Sequence, residues 1–286
     1  MAADPPQPDP YLVELVRGWD RPRYVATLFA PAVARPALFA LYAFAAEVAR
    51  VPGQVNEAGL GEIRLQWWRE AVEALAGGAA GETPVLRALG AAMAAHGLPA
   101  APLTDFVEAH RDDLYADPPA SRAELEFSLG RSESALFQLA AVVLGSAGQE
   151  TADAAGHSGI AYGVARRLAR LPADRARGRV PVPADYLWEH GISTDAVRQP
   201  AADAGLAAAA AAVVPLAEHH LAEAVRHLRV ISREQRAAFL PLAMARPLLA
   251  RLRRAGAELV NRPVDLPRLA IVARITAAAL LWPRGI

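Results

Sequence analysis

The chain has 286 residues, 53% of them hydrophobic and 21% charged, and its 30 basic residues balance 30 acidic ones. That composition excludes disorder through low hydrophobicity, and the zero net charge argues against a general nucleic-acid binder. Neither cysteine nor lysine occurs, which removes disulfides, thiolate metal sites, thiol catalysis, Schiff bases and a Walker-type lysine. Met1–Pro10, rich in proline and aspartate, reads as a flexible cytoplasmic tail without the basic start and apolar stretch of a signal peptide. Residues 11–286 read as one domain, since no linker-like shift in composition divides them.

Apolar residues recur at three- and four-residue spacings, alanine and leucine dominate, and alternating β-branched runs are scarce, so the expected class is all-α. Proline and glycine cut the pattern into helices at about 11–18, 36–51, 60–76, 83–96, 101–115, 121–129, 131–145, 150–171, 183–190, 204–229, 235–254 and 265–281. The longest uncharged apolar run, Ala204–Ala217, contains Gly205 and Pro215 and falls short of the roughly 18 residues that cross a bilayer. The C-terminal stretch Leu269–Pro283 is apolar and is expected to be a core helix, with a peripheral membrane contact as the alternative.

Three clusters carry possible chemistry. Asp112, Asp113 and Asp117 include acids four residues apart, the spacing for a divalent cation on one helical face. Pro118-Pro119 follows at once, so a helix-terminal turn is the favoured reading. Arg166 and Arg170 share a face while Ile160, Val164, Leu168 and Leu171 form another, and the basic tract continues through Arg175, Arg177 and Arg179. Arginine forks suit phosphate oxygens, although a solvated, ion-paired face is the simpler reading. His220 and His227 share a face two turns apart, too far for one metal without a third ligand, and read with His219 as surface histidines. Of Trp67 and Trp68, one is expected in the core and the other at a groove or interface.

Tyr24–Pro31, Arg35–Phe44, Gly61–Glu70 and Gly178–Pro183 occur in the order and at separations that resemble the squalene/phytoene synthase family, from about residue 15 to the C-terminus. The resemblance implies an isoprenoid synthase-type helical bundle around a central cavity. Active members join two allylic prenyl diphosphates head to head, with magnesium held by two aspartate-rich motifs on facing helices. Chemically, a departing diphosphate needs cations and the resulting carbocation needs a dry apolar cavity.

In this chain the first motif's aspartates would fall at Ala49, Arg50 and Gly53, with only Glu47 as a nearby carboxylate. In the second motif the family's Gln, Asn and first Asp correspond to Gly163, Arg166 and Arg170, and the later Asp is kept as Asp174. The departure, with the Glu-Val-Ala-Arg and Gly-Glu-Ile-Arg-Leu-Gln-Trp-Trp-Arg segments, resembles a non-catalytic branch that includes relatives of a mitochondrial complex I assembly factor. The resemblance implies a pseudoenzyme that assembles or stabilises a respiratory module, with complex I assembly partners, cytoplasmic or peripheral at the inner membrane.

The expected ligand set is Arg35, Tyr42, Glu47, Arg50, Arg166, Arg170 and Asp174, with no catalytic residue and no cofactor. Arginines in place of carboxylates suggest a metal-free polar end for a prenyl diphosphate or an anionic lipid. Pairing of those arginines with Glu47, Asp174 or Glu70 is the equal alternative. Two other functions stand beside the pseudoenzyme: an active magnesium-dependent transferase using Glu47, Glu70, Asp112 or Asp174, and a lipid-binding carrier.

Overall fold

The computed structural model describes residues 7–146 and 148–286. Most of the expected N-terminal tail lies outside the described residues; its last two residues, Asp9 and Pro10, cap and begin the first helix. Among the described residues the regular structure is helical throughout. The first five helices are α1 (Pro10–Trp19), α2 (Arg21–Thr27), α3 (Arg35–Gln54), α4 (Ala58–Ala76) and α5 (Pro84–His96). The middle of the chain forms α6 (Ala100–Glu108), α7 (Arg122–Leu129), α8 (Ala135–Val143), α9 (Gln149–Ala169) and α10 (Leu171–Arg175). It ends with α11 (Ala184–Glu189), α12 (Asp203–His227), α13 (Arg236–Phe239), α14 (Ala245–Ala255) and α15 (Arg268–Leu280).

The starts follow local chemistry. Asp9, Asp20, Thr83 and Ser121 each accept a backbone N–H of the first turn of α1, α2, α5 and α7, which satisfies a donor the helix cannot. Proline stands in the first turn of α1, α2 and α5, where its missing N–H costs nothing. α5 stops at Gly97, whose φ of 63° is a left-handed cap.

α3 is the central post: every residue from Ala37 to Ala46 is buried. Burying Leu38, Phe39, Leu41 and Phe44 contributes about 1.5–3 kcal/mol each. α9 packs along α12, and one apolar cluster links Leu12 in α1 to Ile286. α3 and α12, with their flanking turns, are long and apolar enough to cross a membrane by composition, yet 67% and 56% of their apolar windows are buried inside the protein.

Several predicted elements differ. The helix expected at 101–115 ends at Glu108, and Asp112–Leu114 form a separate 3-10 turn, so the three aspartates do not share a helical face. The stretch 235–254 breaks at Pro241, where Leu240–Met244 tighten into 3-10 geometry before α14. α2 and α10 were not anticipated. α15 is not the core helix expected: only Ile275 and Ala278 are buried, while Leu269 and Leu280 are 84% and 78% exposed.

Candidate functional site

A cavity of about 600 Å³ opens between the end of α3, the 112–119 loop, α7, α9 and α10. Its inner wall is built by close approach. A Cβ on Gly159 would come within 2.2 Å of the Ser134 backbone nitrogen, and one on Gly163 within 2.4 Å of a Leu129 methyl. These two glycines, one turn apart on α9, let the π-helical turn Gly130–Ser134 press against it. That turn joins α7 to α8 and points Glu133 inward.

There Glu133 meets a charge network. Arg23, 1% exposed, donates to Asp20 at 3.0 Å and to Glu133 at 2.7 Å. Arg166 lies 3.0 Å from Asp20 and 2.9 Å from Glu133. The Tyr162 hydroxyl donates to the Asp20 carboxylate at 3.1 Å. Two guanidiniums and two carboxylates thus compensate one another. Aromatic rings close the space, with Trp19, Tyr42, Phe137 and Tyr162 centroids 5.2–5.8 Å from the Arg23 guanidinium. Burial pushes the Glu133 carboxyl up, but Arg23 and Arg166 outweigh it and hold it down at about 2. Burial raises the Tyr42 hydroxyl to about 12.

The outer rim is wetter. Ala49, Arg50 and Gly53 of α3 face the cavity together with Arg166, Arg170 and Asp174. Arg50 reaches Glu47 at 3.5 Å and is half exposed. A Cβ on Gly53 would stand 4.0 Å from an Arg177 guanidinium nitrogen, so that arginine sits beside the first motif's last position. Among the described residues Arg170 and Arg177 have no ion pair within 4.0 Å. Asp174 lies 3.9 Å from Arg179; burial raises its carboxyl and Arg170 and Arg179 pull it down less strongly. Across the opening stand Asp112, Asp113 and Asp117, so the whole lining holds six arginines and six carboxylates.

The expected ligand set therefore divides. Arg50, Arg166, Arg170 and Asp174 line one cavity; Glu47 adjoins it through Arg50. Arg35 donates to the Ala30 carbonyl at 3.0 Å at the start of α3, and Tyr42 faces Arg23; neither lines the cavity. Arg166 is committed to Asp20 and Glu133, not to Asp174 or Glu70. Trp68 packs in the core on Phe44 at 5.7 Å, and Trp67 is 39% exposed. Sequence reasoning missed Asp20, Arg23 and Glu133. The signal for the first two was Asp20-Arg-Pro, an N-cap followed by proline inside the first turn.

The histidine expectation also changes. His220 is buried, not on the surface, and its Nε2 lies 2.9 Å from Glu126. His157, from α9, meets it at 2.9 Å; burial, reinforced by each ring's histidine neighbours, lowers the pKa of both.

The fold and its cavity define an all-α bundle of the isoprenoid synthase type. Residues 16–270 match the squalene/phytoene synthase family model, and the chain belongs to that family. It is similar to a human protein, NADH dehydrogenase (ubiquinone) complex I, assembly factor 6. The two are 32% identical over 187 residues, 65% of this chain and 56% of that protein, so the match spans little more than half of the relative. Among solved structures it resembles squalene synthase HpnC from Alicyclobacillus acidocaldarius at 25% identity and a TM-score of 0.75, covering 88% of this chain and 94% of that one. A ligand-bound dehydrosqualene synthase shares the fold at 18% identity and the same TM-score, with 95% and 96% covered.

The family's magnesium does not fit this donor set. The α3 positions offer a methyl, a cation and no side chain, α9 offers two guanidiniums, and Glu133 is already held by two arginines. Among the described residues no three carboxylates of the lining bring ligand oxygens within 4.8 Å of one another.

Proposed function

We propose that residues 11–286 act as one squalene/phytoene synthase-like unit that has given up turnover and serves as an assembly or scaffold protein for respiratory complex I. The observation that carries it is the set of motif positions that line one cavity, Ala49, Arg50 and Gly53 of α3 with Arg166 and Arg170, where cation ligands would have to converge. The name of the human relative supports the assembly role.

Arg50, Arg170 and Arg177, with Asp174 and Glu47 beside them, form the end that takes a prenyl diphosphate or an anionic lipid head group. Fixed guanidiniums do there what magnesium would otherwise do for a polyanion. The outward face of α15 supports a peripheral membrane position: Leu269, Val272 and Leu280 are exposed at helical spacing, flanked by Arg268, Arg274 and Arg284.

Farnesyl and geranylgeranyl diphosphates with magnesium should give no head-to-head product above a protein-free control, while farnesyl diphosphate binds saturably in EDTA. Loss of the chain in its host should lower assembled complex I. Robust product would overturn the proposal in favour of the active transferase, the reading favoured by the likeness to a squalene synthase structure.

A further inference from the structure

A second polar cluster lies on the seam where α9 runs against α12. His157 projects from α9, and His220, Glu223 and His227 stand at i, i+3 and i+7 on α12, one face of that helix. One ligand atom from each of His157, Glu223 and His227 lies within 4.8 Å of the others. The His157 and His227 rings are stacked, with centroids 5.9 Å apart and planes 8° from parallel.

The surrounding hydrogen bonds decide which atoms are free. His220 Nε2 faces Glu126 Oε1 at 2.9 Å, and a carboxylate only accepts, so Nε2 carries the hydrogen. The other nitrogen of a neutral His220, Nδ1, must then accept, and it lies 2.9 Å from His157 Nδ1. His157 therefore donates from Nδ1 and keeps a lone pair on Nε2. His227 Nδ1 faces Glu150 Oε2 at 2.8 Å, which by the same rule leaves its Nε2 lone pair free. Glu223 Oε2 accepts from Arg226, which leaves Oε1. Among the described residues each of the three side chains has one polar atom held by a neighbour and the other unspent, the arrangement by which outer groups orient metal ligands.

We propose that His157, Glu223 and His227 form a binding site for a divalent transition-metal ion of the zinc class, bridging α9 and α12. Two imidazoles and one carboxylate suit such an ion and not calcium or magnesium, which take oxygen shells. Zinc–nitrogen bonds of about 2.0–2.1 Å put tetrahedral ligand atoms about 3.4 Å apart, so the site closes by movement on the order of 1 Å. Glu223 and His227 are 22% and 21% exposed, which leaves an entry path and a fourth position for water. None of the three residues lines the cavity, and the site does not depend on the assembly role.

The test titrates cobalt(II) and zinc into the tag-free full chain after chelator treatment, following cobalt absorption and calorimetry. One equivalent should bind, with zinc displacing cobalt and magnesium competing with neither. Glu223→Gln and His227→Gln should abolish that equivalent with the circular dichroism unchanged. His220→Gln, which removes only an orienting group, should weaken binding by about tenfold to a hundredfold. If the wild-type chain takes up no equivalent, or if Glu223→Gln and His227→Gln bind as tightly as wild type, the assignment is overturned and the histidines are a hydrogen-bonded seam.

Discussion

The inner wall and the outer rim of the cavity use the same residue types to opposite effect. At the wall, Arg23 and Arg166 face Asp20 and Glu133 in a buried, compensated set enclosed by aromatic rings. At the rim, Arg170 and Arg177 stand in the opening without an ion pair among the described residues, with Asp174 beside them and Asp112, Asp113 and Asp117 across it. An arginine that has lost its water must be paired where it sits, so it becomes part of the framework. One that keeps its water retains a charge to offer a ligand. Counting arginines therefore overstates the positive character of this site; their burial sorts them.

The sharpest way to break the contrast is to remove the most buried cation. Arg23→Leu leaves Asp20 and Glu133 facing one guanidinium in place of two, and should cost about 3–5 kcal/mol of stability in urea unfolding. An Arg23→Leu chain with an unchanged midpoint would mean the wall is no more structural than the rim.

Acid probes the same wall. The folded Glu133 carboxyl is depressed to about 2, so its contribution is fully present above the ordinary carboxylate range near 4.5 and is lost as pH falls from there towards 2. A loss on the order of 3 kcal/mol should accumulate over that window in unfolding measured at stepped pH. Glu133→Gln should flatten that part of the curve.

A smaller effect tests how the wall is assembled. Gly163→Ala puts a methyl where Leu129 already packs and should destabilise by about 1–3 kcal/mol, with Arg166 and Glu133 drawn apart. At the rim the expectation reverses. Arg170→Ala should leave the unfolding midpoint unmoved and weaken farnesyl diphosphate binding in EDTA by about tenfold, the size of one charge-assisted hydrogen bond. Should the variant unfold early and bind normally, the rim arginine would belong with the wall.

Much of this was readable from residues alone. Helical spacing and proline punctuation place α1, α3, α4, α5, α9 and α12 to within a few residues, because each carries a long apolar face. Aligning short motifs also gives the residue types at Ala49, Arg50, Gly53, Arg166 and Arg170, all of which line the cavity. What was hidden is short or distributed. α2 spans seven residues with two arginines in its first turn, too brief to show a period. Glu133 enters through a single π-helical turn that no spacing rule announces. Arg166 was visible as a cation, but its partners lie 146 and 33 residues away along the chain.

The sequence by itself determined the helical class, the bounds of the long helices to within a few residues and the chemical identity of the groups at the family's motif positions, because those depend on neighbours within a turn or two. Only the tertiary structure decided which arginines are buried among acids and which face the opening, that α15 shows leucines to solvent, and that His157 meets His227 across a seam. These outcomes depend on side chains far apart in the chain and on which of them lose their water when the helices pack.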